Sequence, residues 1–319
     1  TLKPERPYLH AYHQTLVVKI FLSEKQPGGG CKVHLTFAQA LEVIRKLDNL
    51  TCGAPKIAYL VGWQFNGHDS KYPSWAEVNT RLKRPEDATA ADSLRWLMAE
   101  GSRHHTTVSL HTNMFDATED SPLWETYLRH DIIAKDKDGK PLPGEVFGSE
   151  AAPDTQSYQI SYAREWETGY ARKRIDALLA MLPIREAGTI HVDAFHSRVP
   201  VRRRENVISP LLGYPIEREV QAQRRILRYF RDQGVDVTCE GSAYDLRTDP
   251  FVGLQPMAWH YNELGPLIPP SLYCGTPMQA EREIGLDPLG LAGLLEQFCL
   301  RAVPWLYGNN ATAPKGDQE

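Results

Sequence analysis

The stretch TIHVDAFHS, Thr189 to Ser197, decides how this chain is read. A helix-like segment leads into an apolar run that ends on Asp193 and gives way at once to polar and aromatic residues. That is the pattern of a buried strand delivering an acid at its C-terminal end. VDVTCEGSA, Val235 to Ala243, repeats the grammar one helix later and ends on Glu240 and Gly241. Two carboxylates therefore stand at the ends of successive strands.

Strand and helix keep alternating outward from this pair. Toward the N-terminus, LVVKIFL (Leu16 to Leu22) suits a strand buried on both faces. Phe37, Ala40, Leu41, Ile44 and Leu47 recur at helical spacing behind Thr36, predicting an amphipathic helix over 36–47 with Thr36 as its N-cap. IAYLVGW (Ile57 to Trp63) is the second strand, a helix covers 90–100, and Thr106 to Leu110 is the third strand. The span 123–157 breaks the rhythm with a short helix, a hairpin around Asp138-Gly139 and a Gly, Pro and Ser-rich stretch, and reads as an insertion. One long helix over 162–182 leads into the fourth strand at Thr189. Another over 216–233, closed by Gly234, leads into the fifth at 235–239. Strands six to eight are expected within 251–261, 267–274 and 303–307, with a helix over 289–301; Pro256 weakens the sixth. The prediction is an α/β chain folded as a (β/α)8 TIM barrel, incomplete or decorated by the insertion between strands three and four. It occupies one catalytic domain over 1–310, followed by a flexible tail over 311–319.

Composition narrows the partners. A chain of 319 residues with 42% hydrophobic and 24% charged residues can bury a large core. Its net charge of −4 argues against nucleic acid, and the Arg202, Arg203, Arg204 cluster lacks the interleaved aromatics that stack on bases, so a solvated loop is expected there. The five cysteines are scattered without a C-x-x-C pair and read as neither zinc ligands nor a disulfide framework. No apolar run approaches a membrane span, and TLKPERPY at the start carries no signal-peptide core. A secreted and a cytoplasmic bacterial enzyme both remain open, as does the oligomeric state. No strand is followed by a dinucleotide or P-loop glycine motif, and no cofactor is expected. DKDG (136–139) opens like a calcium loop but lacks the later acceptors and the terminal Glu, which points to a surface turn.

Barrel enzymes carry their chemistry at the C-terminal ends of strands, where this chain puts Trp63, His68, Asp69, His111, Asn113, Asp193, His196, Glu240, Trp259, His260 and Tyr261. Each alone has an ordinary explanation: an Asp ending a strand caps a helix, a Trp or Tyr fills a core, a His satisfies a neighbour. Their joint placement after strands points to a site. Glycoside cleavage needs an acid to protonate the departing oxygen and a carboxylate to take the anomeric carbon or activate water. Asp193 and Glu240 fit those needs, with Asp245 and Glu263 as fallback carboxylates. Trp63 and Trp259 would stack on the sugar ring. His68, Asp69, His111 and His260 would hold hydroxyls, with Asn113, His196 and Tyr261 also lining the pocket. The competing use of His68, Asp69 and His111 is metal ligation; their spacing follows no H-E-x-x-H signature, and no metal is expected.

YLVGWQFNGHDSKYP (Tyr59 to Pro73), followed by a VDAF strand and a CEG strand, resembles the catalytic barrel of the endo-α-N-acetylgalactosaminidases, glycoside hydrolase family 101, and relatives such as family 129. The resemblance implies a retaining, double-displacement hydrolase of α-linked N-acetylgalactosamine in mucin-type O-glycans, with a glycan or glycoprotein as its partner. It implies Asp193 as nucleophile and Glu240 as acid/base, with Trp63, His68 and Asp69 in the sugar-binding wall. Members of that family carry large extra β domains that have no counterpart in this sequence. The alternatives are a barrel that hydrolyses a different α-linked sugar and a carbohydrate-binding barrel without turnover.

Overall fold

A computed structural model describes residues 6–12, 15–135, 138–149, 152–195, 217–240, 254 and 258–259. β1 (Leu16–Phe21) passes through an antiparallel ribbon, β2 (Ser23–Gln26) and β3 (Gly30–Val33), to α1 (Phe37–Leu50) and β4 (Lys56–Val61). Next come α2 (Ala90–Ser102) and β5 (Thr106–Asn113). An insertion follows, made of β6 (Asp116–Thr118), α3 (Trp124–Arg129), β7 (Pro143–Ser149) and β8 (Ala152–Gln159). α4 (Tyr162–Glu167), α5 (Tyr170–Met181) and α6 (Ile184–Ala187) return to β9 (Thr189–Asp193). α7 (Glu217–Asp232), β10 (Asp236–Glu240) and β11 (Ala258–Trp259) complete the described elements.

The main sheet has six strands in the order β1-β4-β5-β9-β10-β11, every neighbouring pair parallel. The strands follow one another across the sheet in chain order, and helices lie between β1 and β4, β4 and β5, β5 and β9, and β9 and β10. No reversal of strand order occurs among the described residues, so the doubly wound plan with its switch point does not apply.

Strand alternation divides the sheet into two unlike faces. On the outer face Ile20, Ala58, Leu60, Val108, Leu110, Ile190, Val192, Val237 and Cys239 join Leu41, Ile44, Leu94, Leu97, Ile175, Leu178, Ile226 and Phe230 of the helices in one core. Burying each large side chain contributes about 1.5–3 kcal/mol, and this layer holds the sheet. Thr36 and Thr89 start α1 and α2 with reciprocal capping boxes, to Gln39 and Asp92 respectively.

The inner face is polar and aromatic. Near the N-terminal ends of the strands, Thr189 Oγ1 meets Tyr59 OH at 2.6 Å and Tyr12 OH at 2.9 Å. Tyr12 also donates to Asp236 Oδ2 at 3.3 Å, and Leu9 N donates to the same oxygen at 2.7 Å. The segment before β1 thus folds beneath the sheet. Burial, the largest influence, raises the proton affinity of Tyr12, Tyr59 and Asp236 alike.

Three expectations change. The helix over 162–182 is two helices, α4 and α5, divided by Gly169 in the left-handed region at φ 80°. The Gly, Pro and Ser-rich stretch is a hairpin, β7 and β8, which joins β6 in a three-stranded antiparallel sheet. The third strand runs on to Asn113, so His111 and Asn113 lie within it rather than after it. The turn at Asp138-Gly139 stands, closed by the Lys135–Pro141 bridge. No helix of the described residues is long and apolar enough to cross a membrane. The expected strands at 267–274 and 303–307, the helix at 289–301, the arginine cluster, the tail, Asp245 and Glu263 lie outside the described residues, as does Asp136 of the DKDG turn.

Candidate active site

Asp193 is the last residue of β9 and Glu240 the last of β10. Val192 pairs with Cys239 across the two strands, so each acid stands one residue beyond a matched pair. Thr189, His191 and Asp193 form one alternate set on β9, and Asp236, Thr238 and Glu240 form its counterpart on β10. The acids therefore hold equivalent positions on adjacent strands. Glu240 is in turn in register with Trp259 of β11.

An imidazole column runs along the inner face beside Asp193. His111 Nε2 lies 3.3 Å from Asp193 Oδ2; the His111 side chain is 4% exposed and that of Asp193 18%. His111 stacks on His191 with ring centres 5.1 Å apart, and His191 Nδ1 meets Thr238 Oγ1 at 2.9 Å. On its other side His111 meets the ring of His68 edge to face at 5.3 Å.

His68 arrives on the loop after β4, which is pressed against β2 backbone to backbone. Gly62 has φ +75°, and a Cβ there would stand 1.8 Å from Ser23 O; Gly67 has φ +110°, and its Cβ would stand 2.7 Å from Glu24 N. Only glycine satisfies both the dihedral and the contact. His68 N donates to Ser23 O at 2.9 Å, Lys25 N donates to His68 O at 3.3 Å, and Phe21 meets the His68 ring edge to face. Asp69 Oδ1 stands 3.5 Å from His68 Nε2.

Arg174 of α5 ties the far end of this loop to β5. Its Nη1 donates to Pro73 O at 3.0 Å and to Asn113 O at 3.4 Å, and its Nη2 donates to Glu165 Oε2 at 3.0 Å. The guanidinium covers the Trp75 ring at 4.4 Å, and Tyr127 OH donates to Glu165 Oε1 at 2.6 Å.

Two groups that the sequence reading left out of the site lie close by. Asp116 accepts from Ser157 Oγ at 2.8 Å and Asn113 Nδ2 at 2.7 Å. Burial pushes its carboxyl up to about 7, and the charges of Asp69 and Asp193 act in the same direction against those two hydrogen bonds. The Tyr72 hydroxyl is held neutral, first by burial and then by Asp69, Asp193 and Asp116. His191 is the third omission. Its signal was present, since it precedes Asp193 by two residues and shares its face.

Two expected ligand contacts need correction. Trp63 offers no open face: it is wholly buried in the outer core, and its Nε1 donates to His111 O at 2.9 Å, bracing the end of β5. Asn113 is turned to local work, its Oδ1 accepting from Phe115 N at 2.7 Å and Asp116 N at 2.9 Å. His68, Asp69, His111 and Asp193 are brought together; Glu240 and Trp259 are located by strand register; His196, His260 and Tyr261 lie outside the described residues. The result is a carboxylate supported by an imidazole, with a second acid at the matching position next door and a polar loop at the rim.

The profile of the endo-alpha-N-acetylgalactosaminidase family matches residues 30–239. Among solved structures, the alpha-N-acetylgalactosaminidase NagBb from Bifidobacterium bifidum in its Gal-NHAc-DNJ complex aligns at a TM-score of 0.58 and 11% identity, over 81% of this chain and 38% of that one. Its GalNAc complex aligns at 0.54 and 13%, over 78% and 37%. The family 36 alpha-galactosidase AgaA from Geobacillus stearothermophilus, in complex with stachyose, aligns at 0.51 and 15%, over 86% and 35%. At such identities the likeness is one of fold, and the chain spans little more than a third of the length of each of these proteins. No curated protein sequence matches the chain.

Proposed function

Because the chain belongs to the endo-alpha-N-acetylgalactosaminidase family, we propose that it is a glycoside hydrolase cleaving α-linked N-acetylgalactosamine in mucin-type O-glycans, on a (β/α)8 barrel, incomplete or decorated by the insertion between its third and fourth strands, within one catalytic domain over residues 1–310. The observation that carries this reading is the equivalent position of Asp193 and Glu240 at the C-terminal ends of adjacent parallel strands. In a retaining mechanism the two carboxyl groups lie roughly 5–5.5 Å apart, a separation that neighbouring strand ends accommodate.

In the first step Asp193 attacks the anomeric carbon and forms a glycosyl ester, while Glu240 gives its proton to the departing oxygen. In the second, Glu240 takes a proton from water as that water attacks the same carbon, which frees Asp193 and retains the configuration. His111 Nε2, 3.3 Å from Asp193 Oδ2, packs against its carboxyl group and helps to position it. His68 and Asp69, the more exposed polar groups at the rim, hold sugar hydroxyls. Trp259 supplies the stacking face, and His196, His260 and Tyr261 complete the wall. The bound GalNAc in one of the similar folds supports this choice of sugar.

Hydrolysis of nitrophenyl α-N-acetylgalactosaminide tests the reading. Asp193→Ala is expected to abolish turnover, and azide to restore it with a β-glycosyl azide as product. Full activity in both Asp193→Asn and Glu240→Gln, or an inverted sugar as first product in the NMR spectrum of the wild type, would overturn it.

A further inference from the structure

We propose that His68, His111 and Asp193 form a binding site for one transition-metal ion of the Zn2+ class, and that this ion and the sugar exclude each other. The binding stands on geometry alone. The exclusion rests on the assignment of Asp193 to the sugar site.

Each of the three residues offers a ligand atom, and these atoms all lie within 4.8 Å of one another. They converge from three separate elements: the loop after β4, strand β5 and strand β9. Zinc bonds of about 2.0–2.2 Å place two tetrahedral ligands about 3.4 Å apart. His111 Nε2 and Asp193 Oδ2 already hold that spacing at 3.3 Å. Bringing His68 to the same spacing from 4.8 Å takes a movement of at most about 1.4 Å, within reach of a side-chain rotation. The backbone beneath need not shift, since the glycine contacts with β2 fix it.

The surroundings suit a metal. His68 and Asp193 have side chains 22% and 18% exposed, which leaves an entry path. Asp69 Oδ1, 3.5 Å from His68 Nε2, is placed to accept that N–H while Nδ1 ligates, the carboxylate–histidine–metal relay that orients zinc ligands, or to join as a further oxygen. Two imidazoles with one carboxylate select Zn2+, Co2+, Ni2+ or Cu2+ over Ca2+ and Mg2+, which prefer all-oxygen shells. The set differs from the His68, Asp69 and His111 group suggested by sequence order, because β9 places Asp193 within 4.8 Å of a ligand atom on each of the two rings.

A second His and Asp group does not compete. His104 and His105 approach Asp48 at 3.8 and 3.1 Å, but Lys56 Nζ sits 2.7 Å from Asp48 Oδ1 in a near-buried ion pair. An ammonium already stands where a cation would go.

The consequence is metal inhibition. An ion on Asp193 takes the electron pair the nucleophile needs, and a sugar on Asp193 shields the ligand from the ion. Because both histidines must be neutral to ligate, binding weakens as pH falls.

The test is titration of the full chain with Zn2+ against a chromogenic chelator, with Co2+ absorption as a second readout. The expected result is one ion per chain and an intense visible Co2+ band. His68→Gln, His111→Gln and Asp193→Asn should each weaken binding at least about ten-fold, while His105→Gln leaves it unchanged. N-acetylgalactosamine should weaken Zn2+ binding in proportion to its concentration. Unchanged affinity in the folded His68→Gln variant, or no binding at millimolar Zn2+, would overturn the site. His68 is half-open, so this variant stays informative if His111→Gln fails to fold. Zn2+ bound through the histidines yet indifferent to the sugar would overturn the exclusion. The azide experiment with Asp193→Ala reads the catalytic assignment separately from all of these results.

Discussion

The two ends of the inner sheet face have the same alternation and opposite uses. At the N-terminal end Tyr12, Tyr59, Thr189 and Asp236 meet at 2.6 to 3.3 Å and spend their hydrogen bonds on one another. At the C-terminal end His68, Asp69, His111 and Asp193 approach to 3.3 to 3.5 Å, with partly open side chains at the rim. The first arrangement closes the structure. The second gathers imidazoles and carboxylates at a partly open rim, the end of the strands at which parallel barrels do their chemistry.

Three substitutions break or sharpen the contrast. Asp193→Asn should lower turnover of the nitrophenyl glycoside by at least ~10³-fold. Its melting temperature should equal or exceed that of the wild type, because a like charge beside Asp69 and Asp116 is removed. A variant that unfolds instead would erase the distinction between the two ends.

Asp116 stands between the regimes, and its folded pKa is raised from the ordinary 3.8 to about 7. Its proton stabilises the fold fully below the ordinary value, and that contribution is lost as pH climbs from about 4 to about 7. The span corresponds to at most about 4 kcal/mol. Asp116→Asn, which copies the protonated shape, should gain stability over the wild type through that window and hold a constant lead above it. Parallel melting curves of the two proteins across the range would reveal a different sign.

Tyr59→Phe should have the smallest effect. Removing one buried hydroxyl from Thr189 costs about 1–2 kcal/mol in denaturant unfolding, while turnover stays within about two-fold because the change lies at the closed end. A large loss of activity would mean that the two ends are coupled.

Much of the sheet was legible because the outer face consists of short apolar runs. Leu16–Phe21, Lys56–Val61 and Thr189–Asp193 each match a stretch read from sequence to within two residues at either end. The β6-β8-β7 sheet was not legible, since its strands mix Gly, Pro, Ser, Thr and acidic residues with few apolar ones and carry register shifts between Pro143 and Val146 and between Phe147 and Gly148. No period-two hydrophobic signal survives that. In the site, the strand ends were legible and the side-chain directions were not. Trp63 was read as a stacking face because tryptophans flank sugars; its indole N–H is instead committed to His111 O, a contact from the segment after β4 to β5 that no spacing records. Asp116 holds its proton because it is buried, and the hydroxyl it accepts from belongs to Ser157, 41 residues away in sequence, a placement that no local spacing records.

At Gly62 and Gly67 the rim loop meets β2 main chain to main chain, with Ser23 O and Glu24 N occupying the space where side chains would start. At those two positions the course of the loop is set by backbone contact rather than by the side chains it carries. Residues on this loop can be exchanged in a library without steering its course, provided the backbone at each position is respected. Asp69 and Lys71 sit in the left-handed region at φ 57° and 56°, where Asn, Asp and Gly are tolerated and β-branched residues are not. A search for altered sugar preference therefore has most freedom at His68 and a restricted alphabet at the residue beside it.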